Sequence, residues 1–276
     1  MPLPNFLVKK TPKQSNIRLL RELIADPHIH TVCEEAKCPN IGECYAQKTC
    51  TFMILGDTCT RNCAFCGVTN GKPLPPDPDE PQKIAEAVKK LGLNYVVITS
   101  VTRDDLPDGG ASHFAQVIRK CRMTNAECRI EVLIPDFKGN DPALRTVLEA
   151  KPYILNHNIE TVPRLYSKIR PQANYQQSLQ LLKTAAAQVV TKSGFMVGLG
   201  EEAAEVEALL SDLKAAGCSL VTIGQYLPPS KDHLQPERYV VPKEFAKYTE
   251  FGQKLGLKVF AGPFVRSSYH AGEIAG

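Results

Sequence analysis

From residue 51 onward the chain repeats one pattern, a short apolar run followed by a longer amphipathic segment. Runs rich in Val, Ile, Leu or Phe occupy 51–56, 94–100, 129–134, 153–158, 193–198 and 219–225. They have strand length and read as the buried strands of a parallel sheet. Helical patterns fall at 81–91, 111–122, 142–150, 161–168, 176–188 and 202–216. In the first of these Ile84, Val88 and Leu91 share a face and Gly92 supplies the stop. In the third, Asp141 reads as the N-cap before Pro142 at the first helical position. Six successive βα units with right-handed crossovers predict an α/β fold, a partial (β/α)6 TIM-type barrel. A doubly wound sheet is the alternative. In either case the loops at the carboxyl ends of the strands build the site.

The first such loop carries Cys59-Thr-Arg-Asn-Cys63-Ala-Phe-Cys66. Three thiolates at C-x3-C-x2-C spacing can be aimed at one point, and thiolates suit zinc or iron–sulfur clusters. A closed zinc site or an ordinary [4Fe–4S] site takes four protein ligands. Three ligands on a cluster leave one iron free to bind a reactant; on zinc they demand a fourth ligand from elsewhere. A second trio, Cys33-x4-Cys38-x5-Cys44, is also one ligand short. Its spacing is too wide for a zinc ribbon and fits a second iron–sulfur cluster better. Cys50 is either the missing ligand or an incidental thiol.

Hydrophobic residues make up 43% of the 276 and charged residues 22%, the composition of a globular protein. The first 20 residues contain no apolar signal-peptide core, and no run of 18 apolar residues follows. The chain is therefore expected to be cytoplasmic, with its cysteines used for metal or redox chemistry rather than disulfides. Seven of the ten cysteines lie between 33 and 66, while Cys121, Cys128 and Cys218 sit in patterned segments and read as buried small hydrophobes. A net charge of +4 with no aromatic-plus-basic stripe argues against a nucleic-acid partner. The positive excess near the cysteines either steers an acidic protein partner or is a random surface excess.

Three regions follow: an N-terminal extension, 1–50, carrying the first trio; a barrel, 51–260; and a tail, 261–276. Residues 1–14 read as an extended arm and Ser15–Asp26 as a helix with Ile17, Leu20 and Ile24 on one face, ended by Pro27. His28 and His30 read as structural or exposed residues rather than ligands. Among the strand-end loops, 99–110 is polar and ends in Gly109-Gly110, suited to close backbone contact with a ligand or to a plain turn. Alternation places Asn156, Asn158 and Glu160 on one face, a set suited to hydroxyl groups. Gly198-Leu199-Gly200 is too short a motif to mark a phosphate loop. The tail, with Arg266, Ser267, Ser268, Tyr269 and His270, has little regular pattern and reads as a mobile end or a lid closing the rim.

The C-x3-C-x2-C spacing with Phe65 before its last cysteine resembles the signature of radical S-adenosylmethionine (SAM) enzymes. Add the first cysteine trio, Leu106-Pro-Asp-Gly-Gly110, Asn156-His-Asn-Ile-Glu-Thr161 and Arg266-Ser-Ser-Tyr269, and the chain resembles the lipoyl synthase family along nearly its whole length. The resemblance implies two [4Fe–4S] clusters and SAM as cofactors. Cys59, Cys63 and Cys66 would hold the SAM-cleaving cluster. Cys33, Cys38 and Cys44 would hold an auxiliary cluster with Ser268 as fourth ligand, which leaves Cys50, where the family usually has a small residue, without an assigned role. It implies SAM contacts at Phe65, at Gly109 and Gly110 (near the amino group), and at Asn158 and Glu160 (near the ribose), with Arg170 against SAM or substrate.

The implied reaction is sulfur insertion at C6 and C8 of an octanoyl chain carried on a lysine of a lipoyl domain or glycine-cleavage H protein. The auxiliary cluster is the sulfur source. An electron donor such as ferredoxin or flavodoxin and an iron–sulfur carrier for cluster repair are the further partners; no nucleic acid or membrane is implied. Two rivals are weaker. A biotin-synthase-like enzyme acting on a small molecule would draw auxiliary ligands from barrel strands. A two-cluster electron carrier needs four ligands per cluster and no succession of βα units.

Overall fold

The computed structural model describes residues 3–9, 14–24, 26, 28–47 and 49–276. The N-terminal extension holds a 3-10 turn at Asn5–Leu7, α1 (Gln14–Ile24), β1 (His30–Thr31), α2 (Val32–Glu35) and α3 (Ile41–Ala46). The barrel begins with β2 (Thr51–Ile54), the short pair β3 (Thr58–Cys59) and β4 (Thr69–Asn70), and α4 (Glu80–Lys90). It continues through β5 (Tyr95–Ser100), α5 (Ala111–Thr124), β6 (Arg129–Leu133), α6 (Asp141–Glu149), β7 (Ile154–Asn156), α7 (Tyr166–Ile169) and α8 (Tyr175–Ala186). The last units are β8 (Val190–Val197), α9 (Ala203–Ala215), β9 (Leu220–Gln225), α10 (Pro242–Lys254), β10 (Lys258–Gly262) and α11 (Ala271–Ala275).

All six expected strands form, in the sheet order β1-β2-β5-β6-β7-β8-β9-β10. β1 runs antiparallel to β2 at one edge and every other neighbour pair is parallel. The unexpected elements include the short β1, α2, α3, β3, β4 and α11 and the longer α10 and β10. β1 is two residues long. The buried face of α10 is Phe245, Tyr248 and Gly252, with no aliphatic repeat. Gly252 is needed there because a Cβ would collide with Val259 of β10. β10 itself is only partly buried and crosses the expected boundary between barrel and tail. The α6 cap is Asn140, one residue earlier than expected: its side chain accepts from the Ala143 amide at 3.1 Å, and Asp141 falls inside the first turn. The helix expected at 161–168 is a 3-10 turn, Pro163–Leu165, running into α7. In the arm, Leu7 is buried, and in α1 Ile17 and Ile24 pack against the core as expected; Pro27 and the Leu20 side chain lie outside what is described.

The strand register separates two faces. Phe52, Ile54, Val96, Ile98, Ile130, Val132 and Leu155 point outward into one core with residues of α4, α5 and α6. Phe195, Val197, Val221, Ile223 and Val259 do the same under α9 and α10. Burying these side chains against helices stabilises the barrel wall by about 1.5–3 kcal/mol per large residue. Intervening positions, aligned by the pairs Thr51↔Val97↔Glu131 and Asn156↔Lys192, share the opposite face. That face is polar: Thr51, Tyr95, Thr99, Glu131, Asn156, Lys192 and Thr222, with Gly194 and Gly224 among them. Helices covering one face and a polar face within make a partial barrel, not a doubly wound sheet.

The tail occupies this interior. After β10 it passes Gly224, where any Cβ would collide with the Val265 carbonyl. It ends in α11, whose Ile274 clusters with Ile154 and Leu220 at the starts of β7 and β9. Lys258 and Arg129, at the starts of β10 and β6, donate to the carbonyls of Ile274 and Gly276, each at 2.7 Å. The tail therefore closes the barrel from inside. Among the described residues no helix is long and apolar enough to cross a membrane.

Candidate metal centres

The loop from Cys59 to Cys66 leaves β3 and is closed by the parallel pairing of Thr58 with Thr69 and Cys59 with Asn70. It is laced to the loop after β5. The Thr60 amide and hydroxyl both donate to the Thr102 carbonyl (3.0 and 2.9 Å), and the Asp104 amide donates back to the Thr60 hydroxyl (3.0 Å). Cys59 Sγ accepts from the Arg61 and Thr102 amides at 3.4 and 3.3 Å.

Arg61, inside the motif, is the main fastening. Its guanidinium makes a two-pronged contact with Asp104 (2.7 and 3.0 Å) and a second with Asp136 (2.8 and 2.7 Å). The Arg61 and Asp136 side chains are 4% and 0% exposed. Burial alone would raise the Asp136 carboxyl, but the Arg61 hydrogen bonds and charge outweigh it and hold it below its usual value. On the far side of the loop, the Ala64 amide donates to Ile169 O at 2.9 Å and the Asn62 amide to Gln172 Oε1 at 2.8 Å. His233 Nε2 bonds the Cys66 carbonyl at 3.1 Å. Phe65 is partly buried against the core under α9 and α10. Burial pushes the Cys63 thiol up to about 12 and Cys66 to about 11, so deprotonating them calls for a cation at their centre.

Around this loop stand the expected polar residues. Arg170, after α7, donates from Nη1 to the Asn158 carbonyl at 2.8 Å and stacks on Tyr166; its buried Nε has no partner. Glu160 has φ +67° and bridges β8 through backbone bonds, while burial raises its carboxyl above its usual value. Gly109 and Gly110 have φ +62° and +91°, and a Cβ on either would collide with Phe137 or Leu55. Packing therefore demands glycine at both positions independently of any ligand. The Gly198–Gly200 segment is occupied by Glu201, which caps the amides of Gly198 and Leu199 at 2.6 and 2.8 Å.

The first trio is brought together with the tail. Cys33 lies in α2, Cys38 in the following loop and Cys44 in α3, and all three line a cavity of about 280 Å³ with Cys50, Tyr95 and Ser268. The two ends of the chain are pinned beside it. Asn40 Nδ2 donates to the Phe264 carbonyl at 2.7 Å. Glu43 accepts from the Tyr269 hydroxyl (2.7 Å), His270 Nε2 (3.0 Å) and Lys9 Nζ (2.9 Å). Those hydrogen bonds, Tyr269 first, hold its carboxyl down at about 2. Burial pushes Cys33 up to about 12 and Cys44 to about 11. Among the described residues no three His, Cys, Asp or Glu converge tightly enough to share one metal ion. His28 is exposed and His30 faces Glu35 at 3.6 Å, away from any such group. Cys121, Cys128 and Cys218 are buried in the two cores, as expected.

Residues that local pattern did not mark as functional join the two regions. The fully buried Lys192 Nζ donates to Glu131 at 2.9 Å, and Glu131 also accepts from Tyr95 (2.6 Å) and Asn156 Nδ2 (3.0 Å). Asn156 Nδ2 donates as well to Ser267 Oγ at 2.8 Å, and Ser267 Oγ donates to Asn158 Oδ1 at 2.7 Å. The signal was present but faint: one acidic and one basic residue, each set in an otherwise strand-like run.

Comparison with known proteins agrees with this architecture. The sequence profile of the Radical SAM superfamily matches residues 53–213. A lipoyl synthase of Oleidesulfovibrio alaskensis is 54% identical over 271 residues, 98% of this chain and 93% of its own length. One from Caldanaerobacter subterraneus subsp. tengcongensis is 52% identical over 95% of this chain and 96% of its own. The crystal structure of Streptococcus suis SuiB bound to S-adenosylmethionine shares the fold, with a TM-score of 0.60 at 10% identity over 81% of this chain and 53% of that one. The superfamily brings one [4Fe–4S] cluster and SAM with it. With its cysteine motif on a partial-barrel rim and relatives matching end to end, the chain belongs to the lipoyl synthase family of the radical SAM superfamily.

Proposed function

We propose that this chain inserts sulfur at C6 and C8 of an octanoyl group carried on a protein lysine, giving the lipoyl cofactor. The observation that carries the reading is the shared cavity of Cys33, Cys38, Cys44 and Ser268, which join from opposite ends of the sequence in a family of sulfur-inserting enzymes. The three thiols are soft donors and the serine oxygen a harder one, a set that suits an iron–sulfur cluster with one exchangeable corner. Cys59, Cys63 and Cys66 would hold the second cluster, leaving one iron for SAM.

When bound, the rim cluster and SAM supply the electron and the 5′-deoxyadenosyl radical that remove one hydrogen atom per SAM, and the auxiliary cluster is consumed as the sulfur substrate. An aliphatic C–H is beyond reach of side-chain acids and bases, so the protein's work is to bind, orient and exclude water. Asn158 and Glu160 offer hydrogen-bond partners to the SAM ribose. The buried Nε of Arg170, a residue whose Nη1 holds the Asn158 carbonyl, has no partner and would suit an anionic group of SAM or substrate. Phe65, packed against the core beside the motif, would cover the rim cluster, and the Gly109-Gly110 turn would offer backbone to the SAM amino group.

The carrier is an octanoylated lipoyl domain or glycine-cleavage H protein. A ferredoxin or flavodoxin supplies electrons, and an iron–sulfur carrier restores the auxiliary cluster in the cytoplasm. The test is mass spectrometry of an octanoyl-lysyl peptide incubated anaerobically with reconstituted protein, SAM and reductant. A gain of two sulfurs is expected, with no net change in hydrogens for the dithiol formed under reductant and loss of two once it is oxidised to the disulfide, and with about eight irons per chain as two four-iron clusters. Zinc in place of iron, or no SAM cleavage, overturns the reading.

A further inference from the structure

Ser267 precedes the proposed cluster ligand Ser268, yet its hydroxyl bonds to the other side of the barrel interior. Its partners have a forced polarity. The Glu131 carboxylate, paired with Lys192, only accepts hydrogen bonds, so Asn156 must turn Nδ2 toward it. The second N–H of that amide goes to Ser267 Oγ. Having accepted there, Ser267 directs its single O–H to Asn158 Oδ1 at 2.7 Å. Asn158 thus presents its oxygen to Ser267, which leaves its amide nitrogen to point elsewhere. Reversing the Asn156 amide would set two acceptors against each other at Glu131.

Two glycines guard the arrangement. A Cβ at Gly194 would crowd both Asn158 Oδ1 and Thr222 Oγ1, and a Cβ at Gly224 would displace the tail at Val265. Both the amide that Ser267 orients and the backbone that carries Ser267 thus lie in space kept open by the strands.

We propose that Ser267 is a positioning residue for SAM: its hydroxyl sets the orientation of Asn158, so that SAM binding and seating of the tail are linked. The proposal rests on the reading above, in which Asn158 and Glu160 contact SAM. Adjacent hydroxyls then serve the two sites, Ser268 the sulfur source and Ser267 the radical source. Linkage is reciprocal: a seated tail strengthens SAM binding, and bound SAM strengthens tail seating by the same factor.

The test is equilibrium SAM binding to the reconstituted full-length protein for wild type, Ser267→Ala, Asn158→Ala and the double variant. Ser267→Ala is expected to weaken binding about tenfold, which converts to about 1.4 kcal/mol. Iron content should be unchanged and Ser267→Thr should restore most of the loss. In the Asn158→Ala background the serine substitution should have less than about a twofold effect. In iron-free protein, amide exchange at 157–160 and at 264–270 should rise together in Ser267→Ala, a readout that needs no ligand. A Ser267→Ala protein binding SAM within about twofold of wild type overturns the proposal, as does an equal loss with and without Asn158. If the wild type itself binds no SAM, the functional reading fails first, and the exchange result still reports whether Ser267 holds the two segments.

Discussion

The two cysteine trios are held in opposite ways. Cys59 to Cys66 sits on the barrel rim, riveted by an arginine buried between two aspartates and by backbone bonds to the loops after β5 and α7. Cys33 to Cys44 sits on two short helices outside the barrel, and its cavity is completed by a tail held by one bond from the buried Asn40 and by those that the part-exposed Glu43 accepts. A buried, fully paired ion network is costly to break, whereas part-exposed hydrogen bonds exchange readily with water. The contrast matches the chemistry proposed: a permanent site that makes a radical every turnover, and a site that must be opened and rebuilt.

The sharpest way to break this comparison is at Arg61. Arg61→Ala leaves Asp136 buried without its ion-pair partner and Asp104 with only the exposed Lys138 at 3.9 Å, and is expected to cost about 3–5 kcal/mol in chemical denaturation of the iron-free protein. Arg61→Lys should recover only part of it, because an ammonium cannot form both forked contacts. A loss below about 1 kcal/mol would mean that the rim is not locked in this way.

Acid should attack the barrel side next. His157, between Asn156 and Asn158, is buried with Nδ1 on the Ile134 carbonyl (2.9 Å) and Nε2 on the Ser178 hydroxyl (3.0 Å). Burial, reinforced by nearby Arg170, lowers its pKa from 6.5 to about 4. Between those values the unfolded chain binds a proton that the folded chain does not, so stability is complete above 6.5 and falls as the pH drops toward 4. The change is on the order of 3 kcal/mol. His157→Asn should flatten this slope in pH-resolved denaturation curves.

Glu43→Ala probes the loose side. Its side chain is 38% exposed, so the expected global cost is small, about 1 kcal/mol. The expected signature is selective: about four of about eight irons lost on desalting, with the rim cluster's spectrum retained. Equal loss from both sites would erase the distinction between them. Smallest of all, Cys50→Ala should leave iron content unchanged and stability within about 1 kcal/mol, since Ser268 and not Cys50 completes the cavity in this reading. Loss of auxiliary iron there would reassign the fourth ligand.

Much of this molecule was legible along the chain. The strand–helix alternation located all six expected strands, because outward-facing Val, Ile and Phe report burial locally, residue by residue. Both cysteine trios were recognisable because a ligand loop places its donors close in sequence. The polar character of the inner face was not, since residues such as Glu131 and Lys192 are single charges within apolar runs and acquire meaning only as partners 61 positions apart. Nor was the role of Arg61, whose aspartates lie 43 and 75 residues away. α10 and β10 escaped because aromatic side chains, glycine and partial exposure blur the periodicity that marks a helix or strand.

The sequence by itself thus determined the wall of the barrel and displayed both cysteine trios. Tertiary structure alone decided that the tail enters the barrel and that Ser267 meets Asn158, and it brings Ser268 and Cys33 to the lining of one cavity. Periodicity and spacing are properties of neighbouring residues, whereas a contact between residues 43 and 269 exists only once the sheet has closed far enough to bring both ends of the chain to one place.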